Sequence, residues 1–317
     1  MAMARDPDAA SLRGRTFVIT GASSGLGRGV ALKLAARGAN VVLLARREAL
    51  LGEIADQARA AGGAAIVVPG DVTQVRDMEA LAEAALAPTG RIDVWINNAG
   101  IGALGRFWDI PPGHHARVVD VNLKGVVYGS YFAVRRFRAQ GEGTLVNIGS
   151  IDSEVPMAYQ GSYSASKAGV LSLGRVLNEE LRLDGQERIK VATVMPWAVD
   201  TPWWEHAANF TGRAPRMAAM DDPQEVVDAI IDIALDPKEE LAVGWKAKAS
   251  YGTHKLAPDL SERMSADLAD RSQMEDALPA PSTDGTLFVA MESGRGVEGG
   301  VRERMEREDE LRERQGD

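Results

Sequence analysis

The sequence predicts an α/β protein, a doubly wound parallel sheet with helices on both faces, followed by a C-terminal extension. Three observations carry this. Between Thr16 and Met195, short β-branched apolar runs alternate with longer helical segments. The runs are nearly continuously apolar, as strands buried on both faces of a parallel sheet must be. At 317 residues, 45 % of them apolar, the chain can bury one sizeable core but would be cramped as two full domains.

The strand candidates are residues 16–20, 40–45, 64–68, 92–97, 144–148 and 190–194, with 241–245 a candidate seventh. Helical candidates lie between them. Residues 25–37 repeat apolar side chains at Leu26, Val30 and Leu34 and stop before Gly38. Residues 47–61, 74–87, 114–138 and 164–182 read the same way. Asp222 and Pro223 offer a cap and a proline at the first helical position, opening a helix through about Leu235. Residues 197–220 read as a long connection. Beyond Ser250 no core pattern is evident, and 302–317 is almost wholly charged, the composition of a solvated helix or frayed tail. The expected organisation is an N-terminal arm (1–14), a dinucleotide-binding and catalytic domain (15–247) and an extension (248–317) that is partly helical or disordered.

Composition excludes several function classes. A net charge of −9 argues against nucleic acid or an anionic membrane as partner. No apolar run reaches the ~18 residues needed to span a bilayer. The first fifteen residues lack the apolar stretch of a secretory signal. With no cysteine, disulfides and thiolate chemistry are ruled out. The four histidines form no spaced ligand cluster, so no metal site is expected. A cytoplasmic protein is the plain expectation.

Three groups of residues carry chemistry. The first is Thr20-Gly21-Ala22-Ser23-Ser24-Gly25-Leu26-Gly27, between the first strand and the first helix. Gly21 suits a tight turn, while Gly25 and Gly27 allow close approach of a pyrophosphate and of helix to sheet. The helix N-terminus adds free N–H groups and a favourable dipole for phosphates. The setting is that of a Rossmann-type fold, although the spacing is Gly-x3-Gly-x-Gly. The second group ends the second strand. Where an NAD-reading fold commonly has an acid for the ribose 2′-hydroxyl, this chain has Ala45-Arg46-Arg47. A guanidinium suits a 2′-phosphate, which favours NADP(H) over NAD(H). The alternative is that these arginines are ordinary solvated charges, with Glu48 close by.

The third group is Ser150, Tyr163 and Lys167. Tyr163 and Lys167, four apart, share one helix face, and Ser150 ends a strand at the edge where open α/β sheets bind ligands. A phenol with a pKa near 10 is a poor acid–base at neutral pH. A neighbouring ammonium, reinforced by an oxidised nicotinamide, would favour the phenolate. Tyr163 could then exchange a proton with a carbonyl oxygen that Ser150 holds.

Together with Gly70-Asp71-Val72, Asn97-Asn98-Ala99-Gly100, Asn122 and Pro196-x4-Thr201, these groups resemble the short-chain dehydrogenase/reductase family, in its smaller single-domain branch. The resemblance runs from about Arg15 to Pro202 and includes the thirteen-residue step from Ser150 to Tyr163. It implies that Asp71 and Val72 contact the adenine and that Asn98, Ala99 and Gly100 flank the cofactor. Residues Gly21, Ser23, Ser24, Gly25, Leu26 and Gly27 would form the phosphate turn, with Arg46 reading the 2′-phosphate. Tyr163 would be the acid–base, Lys167 would bind the nicotinamide ribose, and Ser150 would hold the substrate oxygen. Asn122 would anchor a water linking Lys167 to solvent. Pro196, Val199 and Thr201 would close over the nicotinamide. Ser153 competes with Ser150 but lacks the spacing to Tyr163.

The expected activity is interconversion of a carbonyl and an alcohol on a small molecule. Two other readings stay open: an NADP(H)-binding sensor without turnover, and an epimerase or dehydratase using the same Tyr–Lys pair. The chain departs from the family pattern at Trp197, where glycine is usual, and in some seventy residues after Trp245. Trp203, Trp204 and Phe210, with Phe107 and Trp108, are candidates for an apolar pocket. By analogy the helices at 114–138 and 164–182 would pair subunits into a dimer or tetramer.

Overall fold

The computed structural model describes residues 11–315; most of the expected N-terminal arm and the last two residues lie outside it. In chain order the elements are β1 (Thr16–Thr20), α1 (Gly25–Ala36), β2 (Asn40–Ala45), α2 (Glu48–Ala60), β3 (Ala64–Pro69), α3 (Val75–Ala84), β4 (Val94–Asn97) and β5 (Ala103–Leu104). Next come α4 (Pro112–Val119), α5 (Gly125–Gln140), β6 (Gly143–Ile148), α6 (Gly161–Leu183), β7 (Ile189–Pro196), α7 (Trp203–His206) and β8 (Ala208–Asn209). The chain closes with α8 (Pro223–Leu235), β9 (Glu240–Val243), α9 (Gly244–Leu256), α10 (Pro258–Asp270) and α11 (Val301–Gln315).

Seven strands form one parallel sheet in the order β3-β2-β1-β4-β6-β7-β9, and β5 pairs with β8 in a small separate ladder. Each strand sends alternate residues to opposite faces, and both faces are covered. Phe17, Ile19, Val41 and Leu43 pack beneath α1, α2 and α8, through Leu34, Ile54 and Ile230. Val18, Val42 and Leu44 pack with Met78 of α3, Val118 of α4 and Phe137 of α5. This double coverage is why the strands read as unbroken apolar runs. Strand order reverses between β1 and β4, so the loops after these strands part and leave a crevice at the carboxyl edge of the sheet.

Three local outcomes differ from the sequence reading. The stretch 112–140 is a helix interrupted by a π-turn at Asp120–Lys124, which places Asn122 inward. The seventh strand stops at Val243, because Gly244 (φ +78) turns the chain into α9, and Trp245 lies on that helix. The charged stretch after 302 is α11, and one side of it is buried. Val301 and Met305 join Met217, Met220 and Trp204, and Glu308 pairs with the buried Arg216.

Candidate active site

The crevice is a cleft of about 250 Å³ running along the carboxyl edge of the sheet. Gly21, Ser23, Ser24, Gly25, Leu26, Arg46, Asp71, Val72, Asn98, Ala99, Gly100, Ser150, Tyr163, Lys167, Pro196, Val199 and Thr201 all line it. Two predicted residues do not. Gly27 lies under the turn, where a Cβ would come within 2.5 Å of Gly21 O and Asn98 Nδ2, so its absent side chain serves packing rather than a ligand. Asn122 is fully buried behind the wall, accepting the Ile101 amide at 2.8 Å and donating to Ile101 O and Ser166 Oγ.

At one end stand the loops after β1 and β4. Gly21 (φ +66) has no room for a side chain, since a Cβ would sit 2.7 Å from Ala99 Cα. Thr20 Oγ1 accepts the amides of Asn98 and Ala99, and Asn98 Nδ2 donates to Thr20 O and Gly21 O. The glycine turn is therefore clamped to its neighbour before α1 begins. Beside it, Arg46 at the end of β2 and Arg117 of α4 stand by the carboxylate of Asp71, while Arg47 reaches Ser23 and Ser24 and has Glu292 as its charge partner. Asp71 accepts from Arg117 Nη2 at 2.6 Å and from Thr73 at 2.9 Å. Burial works against this carboxylate, yet the bonds from Thr73 and Arg117 hold its pKa below the ordinary value. Burial lowers the pKa of Arg46, and Asp71 partly offsets that. Arg46, Arg47 and Arg117 outnumber the carboxylates of Asp71 and Glu292 and leave this end positive, in a chain whose net charge is −9.

At the other end, Ser150 begins a 3₁₀ turn (Ile151–Ser153) after β6, and its Oγ accepts the Asp152 amide at 3.2 Å. The Ser153 hydroxyl is turned back to accept the Ser150 amide. The first two turns of α6 bring Tyr163 and Lys167 to the same place. Lys167 is buried, and its Nζ donates to Ile148 O at 2.7 Å and lies 5.6 Å from the Tyr163 ring centre. Burial lowers the Lys167 pKa to about 8, against the raising effect of Asp152.

Lys167, with an oxidised nicotinamide beside it, was expected to favour the Tyr163 phenolate. Within the protein alone burial pushes the phenol up, the charge of Asp152 adds to this, and a hydrogen bond with Ser150 pulls it back. Asp152 is the residue that sequence reasoning missed. It is buried on the cleft wall, accepts from Ser164 Oγ at 3.2 Å, and burial raises its pKa to about 6. The available signal was an acid two residues after Ser150, inside an otherwise apolar and small-residue stretch. Arg117 was also missed, because nothing in its helix marks it as reaching β3.

The pocket expectation holds for two aromatics and fails for three. Trp203 meets Tyr163 edge-on with ring centres 5.1 Å apart, and it fills the space that a side chain at Gly102 would need. Trp204 stands against Trp203 and donates to Val199 O. Both line the cleft, with Trp197, Met157 and Met217. Phe107 and Trp108 are instead solvent-exposed, and Phe210 packs on His114 away from the cleft. A positive recess, a glycine turn with a helix N-terminus, and a Ser–Tyr–Lys cluster thus follow one another along one cleft, a donor set that fits an extended dinucleotide.

These features define an oxidoreductase built on a dinucleotide fold. The family profile described as short chain dehydrogenase matches residues 15–210. An uncharacterized oxidoreductase of Bacillus subtilis, YxnA, is 32 % identical over 88 % of this chain and 79 % of its own length. The ketoacyl reductase HetN of Nostoc sp. is 31 % identical over 74 % of this chain and 79 % of its own. Among solved structures, a short-chain dehydrogenase/reductase from Burkholderia phymatum in complex with NAD superposes with a TM-score of 0.70 at 27 % identity, covering 79 % of this chain and 96 % of that one. An alcohol dehydrogenase from the archaeon Thermococcus sibiricus, complexed with 5-hydroxy-NADP, gives 0.62 at 26 % identity, covering 72 % and 95 %. The chain belongs to the short-chain dehydrogenase/reductase family, whose members are oxidoreductases that bind a nicotinamide cofactor. No helix among the described residues is long and apolar enough to cross a membrane.

Proposed function

We propose that this protein is an NADP(H)-dependent oxidoreductase that interconverts a carbonyl and an alcohol, with Tyr163 as acid–base. The observation that carries the reading is the meeting of Ser150, Tyr163 and Lys167 at one end of a cleft whose other end is walled by Arg46, Arg47 and Arg117. The nicotinamide, when bound, accepts or supplies the hydride. Tyr163 gives its phenolic proton to the carbonyl oxygen in reduction and takes it back in oxidation. Ser150 holds that same oxygen and stabilises its developing charge. Lys167 binds the nicotinamide ribose and, once protonated, favours the phenolate against the burial and the Asp152 charge that oppose it. Asn122 holds the loop at Ile101 behind Lys167, and a Cβ at Gly100 would lie 3.5 Å from Lys167 Nζ and 3.6 Å from Asn122 Oδ1. A water bridging these two polar groups would complete the proton path.

The preference for NADP(H) rests on the arginines and on the lack of an acid at the end of β2. Asp71, held in an ion pair with Arg117, is poorly placed to repel a 2′-phosphate. Glycine-turn amides and the α1 amides beyond Gly25 would take the pyrophosphate, with Val72 and Asn98 to Gly100 beside the bases and ribose, and Pro196, Val199 and Thr201 over the nicotinamide. The walls of Trp197, Trp203, Trp204, Met157 and Met217 favour an apolar carbonyl substrate. Subunit pairing through α5 and α6 is supported by exposed Val127, Tyr131, Val176 and Leu183. The cytoplasm is the proposed compartment, in keeping with a chain without cysteine.

The test is NADPH and NADH consumption against a panel of aliphatic, aromatic and acyl-thioester ketones, with Tyr163→Phe alongside. NADPH-dependent turnover that disappears in the variant supports the assignment. Turnover retained in the variant removes Tyr163 from the chemistry.

A further inference from the structure

Residues 276–300 contain no helix or strand, yet they are tied to the cofactor cleft along most of their length. The segment pairs with Asn209 at Thr283 and then crosses the ends of β1, β2 and β3 before α11. Thr286 donates its amide and hydroxyl to His206 O and Asp284 meets His114, but on the cleft side a recurrent pattern holds, in which backbone carbonyls of the segment accept from arginines and amides around the cleft. Arg46 donates to Thr286 O at 2.6 Å and to Phe288 O. Arg117 donates to Leu287 O at 2.9 Å. Arg47 Nη1 donates to the carbonyls of Met291, Ser293 and Gly294, while its other nitrogens reach Ser23 Oγ and Ser24 Oγ in the glycine turn. The amide of Gly25, the first residue of α1, donates to Gly296 O at 2.8 Å, and Arg28 donates to Arg295 O.

Two features separate this from a loop that merely lies on the surface. Thr286, Ala290 and Met291 line the cleft opposite Asp71 and the glycine turn, so the segment leaves an open channel beneath it. Its carbonyls hold Arg46 and Arg117 in place without adding charge, since carbonyls are uncharged acceptors, while its Glu292 acts on the charge of Arg47. Arg47 is occupied on both sides, by two serine hydroxyls and three carbonyls, and therefore acts as a latch between strap and turn. Arg46 is anchored at its terminal nitrogens while lying on the channel wall.

We propose that residues 284–296 are a wall of the cofactor site, closing the adenosine half from outside and slowing exchange of the dinucleotide. This rests on the reading that the cleft binds NADP(H). The arrangement gives the long extension a binding role: α11, held by Arg216 to Glu308 and Asp309 and by Asp200 at the amide of Val301, anchors the far end of the strap. A dinucleotide beneath a tied strap leaves only when the latch opens, so dissociation is the step most sensitive to the strap.

The test uses the full chain. Gly294 has φ +62, and a Cβ there would lie 2.3 Å from His206 Nε2 and 3.0 Å from Pro202 Cβ, so Gly294→Val forces the strap outward. NADPH dissociation, followed by tryptophan-to-nicotinamide energy transfer after trapping with excess NADP⁺, is expected to quicken at least about tenfold, with Kd rising in parallel. In the unmutated protein, hydrogen exchange across 284–296 is expected to slow when NADPH is added. That second measurement decides the matter if the variant does not fold. Unchanged dissociation, or exchange indifferent to NADPH in 284–296, overturns the proposal. Tighter binding in the variant also overturns it, because the strap would then be an obstruction. Failure of the unmutated protein to bind NADPH, NADH or ADP-ribose overturns the dinucleotide reading and the strap with it, whereas normal binding with an insensitive strap overturns the strap alone.

Discussion

The sheet and the chain that follows it are held together in different ways. From Thr16 to Pro196, order comes from apolar strands sandwiched between amphipathic helices, with Phe17, Val18, Ile19, Trp95 and Leu145 wholly buried. From Trp197 to Gln315, much of it comes from charged side chains reaching across to backbone carbonyls and carboxylates, as at Arg47, Arg117, Arg213, Arg216 and Arg302. The first mode repeats along the chain and leaves a periodic trace, whereas the second joins residues from 60 to 244 positions apart and leaves none. The difference also divides the labour: the first region supplies the reacting groups, and the second supplies the walls around them.

The sharpest way to break this division is Tyr163→Phe. If the chemistry belongs to the first region, turnover falls by roughly 10²–10⁴-fold, the scale of one lost acid–base, while NADPH titration by fluorescence gives a near-normal Kd. Next in size, Ala45→Asp combined with Arg46→Ala should shift the NADPH/NADH ratio of kcat/KM toward NADH by about 10–100-fold. That is the effect of losing charge-assisted hydrogen bonds and adding a like charge. An unchanged ratio would move phosphate reading to Arg47 or Arg117, and so partly into the strap.

Asp152→Asn tests the buried acid beside the reacting groups. Its charge raises the Tyr163 pKa, so removing it should move the rising limb of alcohol oxidation to lower pH, visible in a kcat/KM profile. Stability should respond as well. The folded-state pKa is pushed up to about 6 from an ordinary 3.8, so the stability it contributes is present in acid and lost as pH rises through about 6. The variant escapes that loss, and its advantage in Tm over the parent should therefore grow between pH ~4 and ~7. The smallest effect is expected for Met305→Ala, at about 2 kcal/mol by chemical denaturation, the low end for a methionine truncation, because this side chain fills a satellite cluster rather than the main core. A loss as large as that of a central core truncation would erase the contrast between the two regions.

What the sequence disclosed follows from the same contrast. β1 and β2 lie where the apolar runs do, residue for residue, because burial on both faces leaves no freedom in their composition. The α8 cap was legible because Asp222 Oδ1 accepts the Gln224 amide at 2.7 Å, a purely local interaction. β4 begins at Val94, two residues into its apolar run, although the Asp93 backbone already donates to Thr16 O and accepts from Thr144 N while its carboxylate accepts the Thr16 amide. The Ser150, Tyr163 and Lys167 cluster was legible through spacing and resemblance. Asp152 was not, because no motif includes it. The strap could not be read at all: its bonds run through carbonyls, which every residue has, to arginines read as a phosphate site or as surface charge.

The bond from Arg46 to Thr286 spans 240 positions of sequence. A ribosome adding ~5–20 residues per second needs roughly ten seconds or more to cover that distance. For that interval the strands from β1 to β7 can form and pair while Arg46, Arg47 and the glycine turn still face solvent without their carbonyl partners. The last carbonyl in the series, that of Gly296, leaves the ribosome's exit tunnel later still. The cleft can therefore be completed only after residues 284–296 have been made, well after the strands that carry Arg46 and the glycine turn.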